Sequence, residues 1–427
     1  MKIVFATEYY PPFVPGGSPW SIQLLADALV GRGHQVSVVT PNYGATPREE
    51  QGGVTVVRFP FWRRLEPGPA MAPTRSLVSP RFHWRLARAV RAEARRIGGE
   101  VIHAQDKHAL VGAFLAARSL GRPVFLTLRD TGLICPIATC LLSHDFVPAD
   151  CSAVKLQREC AGFYLDHYIR GGRARRARVR IGIALLYADA RMKRLILNRL
   201  DGLVSVSRGL LEIYLKAGRG RPEASHVVYT LPPEGREPDA AAVQALRRRH
   251  GLDGRTAVLY VGKLSLGKGG PVFLSAADEV SRTHPETSFL VAGPDRPDDR
   301  PSGADVRWLG RLDHQEMRDL YGAVDLVVLP SVGPEALSRV PLEAAAASRP
   351  TVGARAGGTP EEIVDGETGL LVPRGSASAL ARGISQLLDD PALRERMGQN
   401  AARFVAKQFD PDAIVQATLA LYRAARP

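Results

Sequence analysis

Long apolar runs are missing from this chain of 427 residues, and no segment approaches the roughly 20 residues that a membrane-spanning helix needs. The N-terminal stretch MKIVFATEYY is too short and becomes polar too soon for a signal peptide, which predicts a cytoplasmic protein. Aromatic residues make up only 7% of the chain, and no nucleic-acid recognition signature such as paired zinc-finger spacings is present. These absences argue against a nucleic-acid partner.

Cysteine is also scarce, and the four cysteines all fall within residues 129–160. Because cytoplasmic proteins rarely use disulfides, this cluster suggests a tetrahedral structural zinc site. The ligands of that site would be Cys135, Cys140, Cys151 and Cys160. The spacers of four, ten and eight residues match no C-x2-C zinc knuckle, however. Uncoordinated or redox-labile thiols are the alternative, and the sequence leaves both open.

The basic residues are concentrated in the first half of the chain. The net charge is +14; residues 1–230 contain 33 Lys and Arg against 17 Asp and Glu, whereas the rest contains 24 against 26. The excess lies in two stretches with a helical pattern, 81–96 and 173–194. Basic amphipathic helices are typical of surfaces that bind anionic lipid, which predicts peripheral attachment to the inner face of a membrane. Solvated faces in an arginine-rich protein are the alternative.

Strand-like apolar runs alternate with helical stretches, which is the pattern of a parallel sheet covered by helices on both faces. The predicted strands are 2–7, 35–40, 101–105, 123–128 and 202–207, followed after a proline-rich break by 257–262, 287–293, 305–310, 324–330 and 350–355. The fold class is therefore α/β, with two doubly wound domains that face each other across a cleft. Ligands of such sheets bind at the carboxyl ends of the strands.

The domain boundaries follow from the same pattern. The predicted parts are an N-terminal domain 1–231 with a cysteine-containing insertion 129–165 and a basic helical region 167–200, a linker 232–240, a C-terminal domain 241–409 and a final helix 410–427.

A glycine-rich loop follows the first predicted strand of each domain. In the first loop, Gly16 and Gly17 precede a helix that Ser18 caps, so bare backbone N–H groups there are open to an anion. In the second, Lys263 and Lys268 flank a glycine-rich turn, where two ammonium groups would neutralise a leaving diphosphate without a metal ion. Neither loop fits the dinucleotide-binding pattern G-x-G-x-x-G, and glycines at helix starts are often only packing devices.

Two glutamates eight positions apart, Glu335 and Glu343, stand in an alanine-rich stretch. Ser338 predicts a helix N-cap and Pro341 suits the first turn, so Glu335 should precede the helix and Glu343 should lie on it. A separation of roughly 12 Å fits the two ends of one long ligand with an anion at the helix N-terminus between them, as in a nucleotide sugar. Two solvated glutamates beside a helix are the alternative.

The chain resembles the retaining glycosyltransferases of family 4, which have the GT-B fold, in three stretches that occur in this order: GGS…LADALVGRGHQVSVVT, VGKLSLGKGG and PSVGPEALSRVPLEAAAASRPTVGARAGGTPEEIVDGETGLLVP. The resemblance covers essentially the whole chain. It implies that the N-terminal Rossmann-like domain binds the acceptor and that the C-terminal one binds a nucleotide-sugar donor. It also implies that the final helix packs back on the N-terminal domain.

The resemblance implies roles for individual residues. Lys263 and Lys268 would bind the donor diphosphate. Glu335 would lie near the hydroxyls of the donor sugar, and Glu343 would accept hydrogen bonds from the ribose. The other implied donor-binding positions are Gly16 and Gly17 near the phosphate, Leu337, Ser338, Arg339 and Val340 around the phosphates and nucleoside, and Gly310, Arg311 and Leu312 at the nucleobase.

Three positions depart from the family. Ser338 stands where glycine is common, and residues 229–235 lack the usual asparagine-glycine step. Arg129 and Asp130 stand where many members have histidine followed by aspartate. Because an arginine cannot shuttle a proton, Arg129 is expected to bind a phosphate of the donor or acceptor, with Asp130 orienting it. The predicted catalytic residues are therefore Glu335, Arg129 and Asp130.

These features predict a retaining, metal-independent transfer of a hexose-type sugar from a UDP- or GDP-sugar to a hydroxyl acceptor. The basic first half suggests that the acceptor is lipid-linked or is another anionic glycan precursor. No cofactor is expected for catalysis, whatever the state of the structural zinc. A nucleotide-sugar-binding protein without turnover is one alternative. A doubly wound polynucleotide-binding protein is the other, and its affinity would fall steeply with salt.

Overall fold

The computed structural model describes residues 1–143, 145–148, 151–233, 238–294 and 303–425. The chain forms two compact units. Unit 1 comprises Met1–Ala138, Val147–Leu231 and Pro411–Pro427, and unit 2 comprises Thr139–Phe146 and Pro232–Asp410. The predictions for linker residues 234–237, insertion residues 144, 149 and 150 and terminal residues 426–427 lie outside the described residues.

The strands of the described residues are short, as buried parallel strands usually are. They are β1 (Lys2–Ala6), β2 (Gln35–Asn42), β3 (Arg48–Gln51), β4 (Val54–Pro60), β5 (Val101–Ala104), β6 (Val124–Leu128), β7 (Gly202–Ser205), β8 (Ser225–Val227), β9 (Thr256–Val261), β10 (Thr287–Ala292), β11 (Asp305–Gly310), β12 (Leu326–Leu329), β13 (Thr351–Ala354) and β14 (Gly369–Val372).

Helices connect most of these strands. They are α1 (Gly17–Val30), α2 (Thr74–Leu77), α3 (Pro80–Ile97), α4 (Leu110–Leu120), α5 (Ala153–Lys155), α6 (Ala161–Tyr168), α7 (Arg173–Leu197), α8 (Arg208–Lys216), α9 (Ala240–Arg249), α10 (Gly270–Ser281), α11 (His314–Ala323), α12 (Arg339–Ala346), α13 (Ala377–Asp389), α14 (Pro391–Gln408) and α15 (Pro411–Ala424). Short 3-10 turns occupy Pro222–Ala224 and Thr359–Glu361, and one π turn, Leu156–Cys160, joins α5 to α6.

Each unit is built on one sheet. Unit 1 has the strand order β3-β4-β2-β1-β5-β6-β7-β8, and unit 2 has the order β11-β10-β9-β12-β13-β14. The pairs among the described strands are parallel, except that β3 runs antiparallel to β4. All ten predicted strands are present, and the predicted α/β class with two parallel-sheet units is confirmed. The prediction missed β3, β4, β8 and β14.

The central strands of unit 2 are buried on both faces, because alternate side chains enter different cores. On β9, Val258 and Tyr260 belong to one apolar cluster, which α10 and α13 cover. Ala257 and Leu259 point to the opposite face and join a second cluster with Leu320 of α11. Apolar side chains thereby fill both faces of β9, and the charged residues that follow it lie beyond its carboxyl end.

The final helix, α15, belongs to unit 1. Val415, Leu419 and Tyr422 pack in the cluster that contains Ile3 of β1. The Tyr422 hydroxyl also lies 2.6 Å from Nδ1 of His103, a buried residue of β5 whose Nε2 lies 2.8 Å from the Thr127 hydroxyl. Both ring nitrogens of this histidine are therefore hydrogen-bonded inside the core.

The two basic stretches form α3 and α7. Ser79 caps α3 by accepting a hydrogen bond from the backbone N–H of Phe82, and Gly98 ends it in the left-handed conformation with φ of 67°. α7 is the longest helix in the described residues, with 25 residues. In the described part of the chain, no helix combines the length and apolar character needed to cross a membrane.

The cysteine-containing insertion differs from its predicted placement in the N-terminal domain. Its segment 139–146 groups with unit 2, whereas its flanks belong to unit 1. Arg374 of unit 2 donates a hydrogen bond of 2.5 Å to the carbonyl oxygen of Ser143, and its guanidinium lies 4.3 Å from the centre of the Phe146 ring. This cation–π contact and hydrogen bond explain why the segment groups with unit 2.

We predict that His103 makes unit 1 sensitive to acid. Burial, helped by Arg129, lowers the pKa of His103 to about 3. As pH falls below about 6.5, His103 binds a proton in the unfolded chain but stays neutral in the folded one. At pH 5 this difference should lower the free energy of unfolding by about 2 kcal/mol. Urea unfolding of His103→Gln should show a weaker loss between pH 7 and 5 than the wild type. His167→Gln, at an exposed position of α6, is the control and should keep the full loss; equal pH dependence in all three proteins would contradict the prediction.

Candidate functional site

Helix α12 begins where the sequence predicted. Ser338 is its N-cap and accepts a hydrogen bond from the backbone N–H of Val340, and Pro341 lies in the first turn. Glu335 lies in the loop before the helix, and Glu343 lies on it. The helix follows β12 through this loop, so its N-terminus lies beyond the carboxyl end of a central strand of unit 2.

Glu335 is a buried carboxylate with a partner. Its side chain is 8% exposed, and its Oε1 accepts hydrogen bonds from Lys268 Nζ at 2.6 Å and from the Ser331 hydroxyl at 2.5 Å. Burial alone would raise the pKa of Glu335, but the Lys268 charge outweighs burial and holds it below its usual value. Within the described residues, Oε2 of Glu335 receives no hydrogen bond. A buried anion with one unused oxygen therefore lies beside a half-exposed ammonium.

A second buried carboxyl, that of Glu362, was missed by the sequence analysis. Its Oε2 accepts a hydrogen bond of 3.1 Å from the backbone N–H of Ser338, and its Oε1 is buried without a partner in the described part of the chain. Burial, reinforced by the charge of Glu335, raises the pKa of Glu362 well above its usual range. The two carboxyls differ because Lys268 contacts only one of them. The only signal in the sequence was the pair of glutamates in GGTPEE.

The loop after β9 carries the two predicted lysines. The Tyr260 hydroxyl donates to the carbonyl oxygen of Lys263 at 2.6 Å and lies 3.2 Å from that of Lys268, so one side chain holds both ends of the loop. Both lysine residues are exposed, and Lys268 is the one that reaches Glu335. Gly269 then takes φ of 72° and leads into α10.

Glu343 is held by neighbours on two helices. Tyr321 of α11 donates to its Oε2 at 2.9 Å, and Arg339 of α12 donates to its Oε1 at 3.1 Å. The Glu343 charge also opposes the effect of burial on the pKa of His314, which places the start of α11 near this carboxylate. Residues 310–312, the predicted nucleobase pocket, immediately precede that helix. The structure thus brings Glu343, Arg339 and the start of α11 close together.

The remaining predicted donor residues lie in the same unit, except for two. Leu337 and Ser338 are in the loop before α12, and Val340 packs into the core behind it. Gly16 and Gly17, which the resemblance also placed near the donor phosphate, belong to unit 1. They stand at the N-terminus of α1, with open space around Gly16.

Unit 1 has a cavity of about 180 Å³ at the carboxyl ends of β1, β5 and β6. Its lining includes Thr7, Glu8, Tyr9, Gly16, Met71, Asp106, Lys107, Arg129, Asp130 and Tyr214. Glu8, Asp106 and Lys107 were not predicted from the sequence. Their signal was position: each follows directly after a buried strand, in TEYY and in QDKH.

The predicted pairing of Arg129 with Asp130 is wrong. The Arg129 guanidinium donates to the carbonyl and side-chain oxygens of Gln105, both at 2.9 Å. Asp130 instead accepts hydrogen bonds from Lys107 Nζ at 2.6 Å and from the backbone N–H of Gly132 at 2.7 Å. The reason is that these neighbours in sequence leave the end of β6 in different directions, as alternating strand residues do.

The possible zinc site at the four cysteines stays a prediction. Among the described residues, which include all four, no three His, Cys, Asp or Glu side chains are placed to hold a metal ion. Cys135 and Cys160 pack beside Leu156 in a small apolar cluster, Cys151 is exposed, and Cys140 belongs to the segment of unit 2. Cys135 and Cys160 thus share one apolar cluster, and Cys140 and Cys151 lie outside it.

Comparisons with known proteins identify the class. A model of the glycosyl transferase 4-like domain matches residues 16–230, and a model of glycosyl transferases group 1 matches residues 243–404. The chain therefore belongs to the glycosyl transferase 4-like family, and its two units have the GT-B fold.

Individual relatives share this class. The chain is 34% identical to the alpha-D-kanosaminyltransferase of Streptomyces kanamyceticus, over 52% of this chain and 59% of that protein. It is 35% identical to the glycogen synthase of Mycobacterium tuberculosis, over 40% of this chain and 44% of that protein. The aligned region thus spans about half the length of these relatives. An uncharacterized glycosyltransferase of Methanocaldococcus jannaschii aligns with 100% of this chain and 98% of its own length at 25% identity.

Solved structures with the same fold cover nearly the whole chain. Anabaena HepE in complex with UDP has a TM-score of 0.69 at 20% identity, covering 99% of this chain and 100% of HepE. Sucrose-phosphate synthase of Thermosynechococcus elongatus has a TM-score of 0.70 at 21% identity, covering 99% of this chain and 98% of its own.

We predict that Gly357 is needed to place Glu335. Gly357 has φ of 56°, and a Cβ there would lie 2.0 Å from the carbonyl oxygen of Glu335. Gly357→Ala should therefore destabilise unit 2 by more than the about 1–2 kcal/mol of left-handed backbone strain. Gly366→Ala is the matched control, because Gly366 has φ of 79° with open space around it and should show the strain alone. Thermal unfolding compares them, and equal losses would contradict this account.

Proposed function

We propose that the protein transfers a hexose-type sugar from a UDP- or GDP-sugar to a hydroxyl acceptor, with retention of configuration. The observation that carries the proposal is the buried Glu335 carboxylate held 2.6 Å from the half-exposed Lys268 ammonium, beside the N-terminus of α12. The ammonium and the helix N-terminus both favour a diphosphate. The unused Oε2 of Glu335 suits a donor-sugar hydroxyl.

The mechanism uses the donor's own leaving group. Lys263, Lys268 and the α12 N-terminus stabilise the negative charge that develops on the diphosphate, without a catalytic metal ion. The acceptor hydroxyl attacks the anomeric carbon from the face that the leaving group vacates. Its proton passes to the departing phosphate oxygen, and the new glycosidic bond keeps the original configuration. Arg129 and Asp130 belong to the acceptor side in this proposal, because they line the cavity of unit 1.

Uridine is the better supported base, since the structural neighbour HepE was solved with UDP and with UDP-glucose. The competing function is a nucleotide-sugar-binding protein without turnover. Assay of the bound donor with a panel of hydroxyl acceptors separates the two, because only a transferase consumes the donor.

We predict that Glu343 contributes to donor binding. Thermal stabilisation of the wild type by a panel of UDP- and GDP-sugars, with no metal added, should identify a donor. Glu343→Ala should weaken the binding of that donor by roughly tenfold to hundredfold, because hydrogen bonds to a charged group contribute about this much to affinity.

Two controls accompany this measurement. Glu395→Ala removes an exposed glutamate from α14 of the same unit and should leave donor stabilisation unchanged. Tyr321→Phe removes one hydrogen bond to Glu343 and should have a smaller effect than Glu343→Ala. If no nucleotide stabilises the wild type, the nucleotide-sugar proposal fails.

We also propose that α7 attaches the protein to an anionic membrane surface, where a lipid-linked acceptor would lie. The outer face of α7 carries an apolar stripe whose residues are 50–69% exposed: Ile181, Leu185, Met192 and Leu195. At about 100° per residue these four positions span an arc of roughly 80°. The exposed Arg178 and Arg191 lie on the same helix. An apolar stripe flanked by arginines is typical of helices that lie in the lipid interface.

We predict that replacing Arg173, Arg175 and Arg178 with serine lowers the affinity for phosphatidylglycerol vesicles roughly a hundredfold, because each basic residue contributes about 1 kcal/mol. Co-sedimentation with the vesicles measures this affinity. Arg176 is left in place because it pairs with Asp166 and bonds to the Leu165 carbonyl oxygen.

The control replaces three exposed arginines of unit 2, Arg248, Arg249 and Arg396, and should sediment like the wild type. Unchanged sedimentation of the α7 variant would remove the membrane proposal. Equal losses in both variants would indicate nonspecific charge attraction.

A further inference from the structure

The cavity of unit 1 is lined by three carboxylic acids, Glu8, Asp106 and Asp130. The three have very different hydrogen-bond partners. A carboxylate has about four lone-pair positions, and the positions already occupied cannot serve a ligand. The partners of each acid therefore show which one is available.

Asp106 is fully engaged by the protein. Its Oδ2 accepts from the Thr7 hydroxyl at 3.0 Å and from the backbone N–H of Glu8 at 2.7 Å. Its Oδ1 accepts from the backbone N–H groups of His108 at 2.9 Å and Ala109 at 2.8 Å. Asp106 thus fastens the end of β1 to the end of β5, which is a structural role.

Asp130 is engaged as well, since Lys107 and the Gly132 backbone each bind one of its oxygens. Burial alone would raise the pKa of Asp130, but Lys107 outweighs burial and holds it below its usual value. The same ion pair engages the Lys107 ammonium, and Gln105 engages the Arg129 guanidinium. Both cations of the cavity wall therefore already have partners in the protein.

Glu8 differs from both aspartates. Its side chain is 22% exposed, and Nε2 of His108 lies 3.7 Å from its Oε2. That distance exceeds a hydrogen bond, and within the described residues the Glu8 carboxylate accepts none. Burial and the neighbouring Lys193 and Lys107 lower the pKa of His108 well below its usual value, so the imidazole is neutral and offers no counter-charge.

We propose that Glu8 binds the attacking hydroxyl of the acceptor, and that the part of the acceptor entering this cavity is an uncharged polyhydroxyl ring. The inference rests on the proposed transferase function and names the acceptor class for it. The Glu8 oxygens can accept a hydrogen bond from a hydroxyl group. A phosphate in the cavity would be repelled by the three acids, and the two cations, Lys107 and Arg129, are already bonded to other residues. Any anionic part of the acceptor lies outside the cavity.

The role predicts a characteristic pH dependence. Burial and Asp106 raise the pKa of Glu8 well above its usual value; Asp130 acts in the same sense, while Lys107 and Lys193 oppose it. His108 faces the same carboxyl but is neutral. As pH rises through the raised pKa, Glu8 ionises and becomes a better hydrogen-bond acceptor, so the acceptor KM should fall.

The test compares wild type, Glu8→Gln and Glu8→Asp, with glucose and glucose 6-phosphate as acceptor probes and the donor found above. Glu8→Gln should raise the KM for glucose roughly tenfold and abolish its fall with pH, because a charge-assisted hydrogen bond becomes a neutral one. Glu8→Asp should recover part of the pH dependence. Glu212→Gln, at an exposed position of α8 in the same unit, is the matched control and should behave like wild type.

Donor stabilisation is measured on every variant, because it depends on unit 2 and should not change. Loss of donor stabilisation in Glu8→Gln would indicate misfolding or a fault in the donor proposal. In that case Glu8→Asp is compared with the wild type instead. An unchanged KM and pH profile in Glu8→Gln would overturn the role of Glu8. Preference for glucose 6-phosphate, or no transfer to glucose by a protein that binds donor, would overturn the acceptor class.

Discussion

Parallel strands covered by helices on both faces bury most of their side chains, so charged groups that a ligand can reach are left to the strand ends. In unit 2, Val258 and Leu259 point to opposite faces of one strand, yet both are fully buried. The charged residues of the candidate sites therefore follow strands: Lys263 after β9, Glu335 after β12, and Glu8 after β1. This constraint applies equally to both units, which explains why each has a charged site at the carboxyl edge of its sheet.

Desolvation then separates groups that look equivalent in the sequence. Glu335 and Glu362 are both buried near the start of α12, but Lys268 lies against only one of them. Burial raises the pKa of Glu362, whereas the Lys268 charge outweighs burial and lowers the pKa of Glu335, so Glu335 ionises at lower pH than Glu362. The position of one lysine, Lys268, therefore decides which of the two carboxyls has the lowered pKa.

Local chemistry was sufficient to predict the features that depend on neighbours in sequence. Ten apolar runs predicted ten strands, and Ser338 predicted the start of α12. Two of the four missed strands lacked that signal: β3 is the polar run REEQ at the sheet edge, and β8 has three residues. The other two, β4 (VTVVRFP) and β14 (GLLV), are apolar and were overlooked. Contacts distant in sequence were beyond local reasoning, which is why Asp130 was paired with Arg129 instead of Lys107. The packing of Cys135 and Cys160 beside Leu156 is likewise a contact that local sequence did not show.

Helix α7 connects the two proposals for unit 1 through its periodicity. Lys193 is 1% exposed, is paired with Asp189 one turn earlier at 2.7 Å, and contributes to the electrostatic field at Glu8. Leu195, roughly 160° around the helix from Lys193, and Leu185, roughly 80° around it, are more than 60% exposed. Because a helix turns about 100° per residue, one segment can present an ammonium to the acid cluster and leucines to the outside. In the proposed arrangement, the anionic part of the acceptor would stay at the lipid surface and only its uncharged ring would enter the cavity. This division suits the cavity, because Lys107 and Arg129 in its wall are already bonded within the protein.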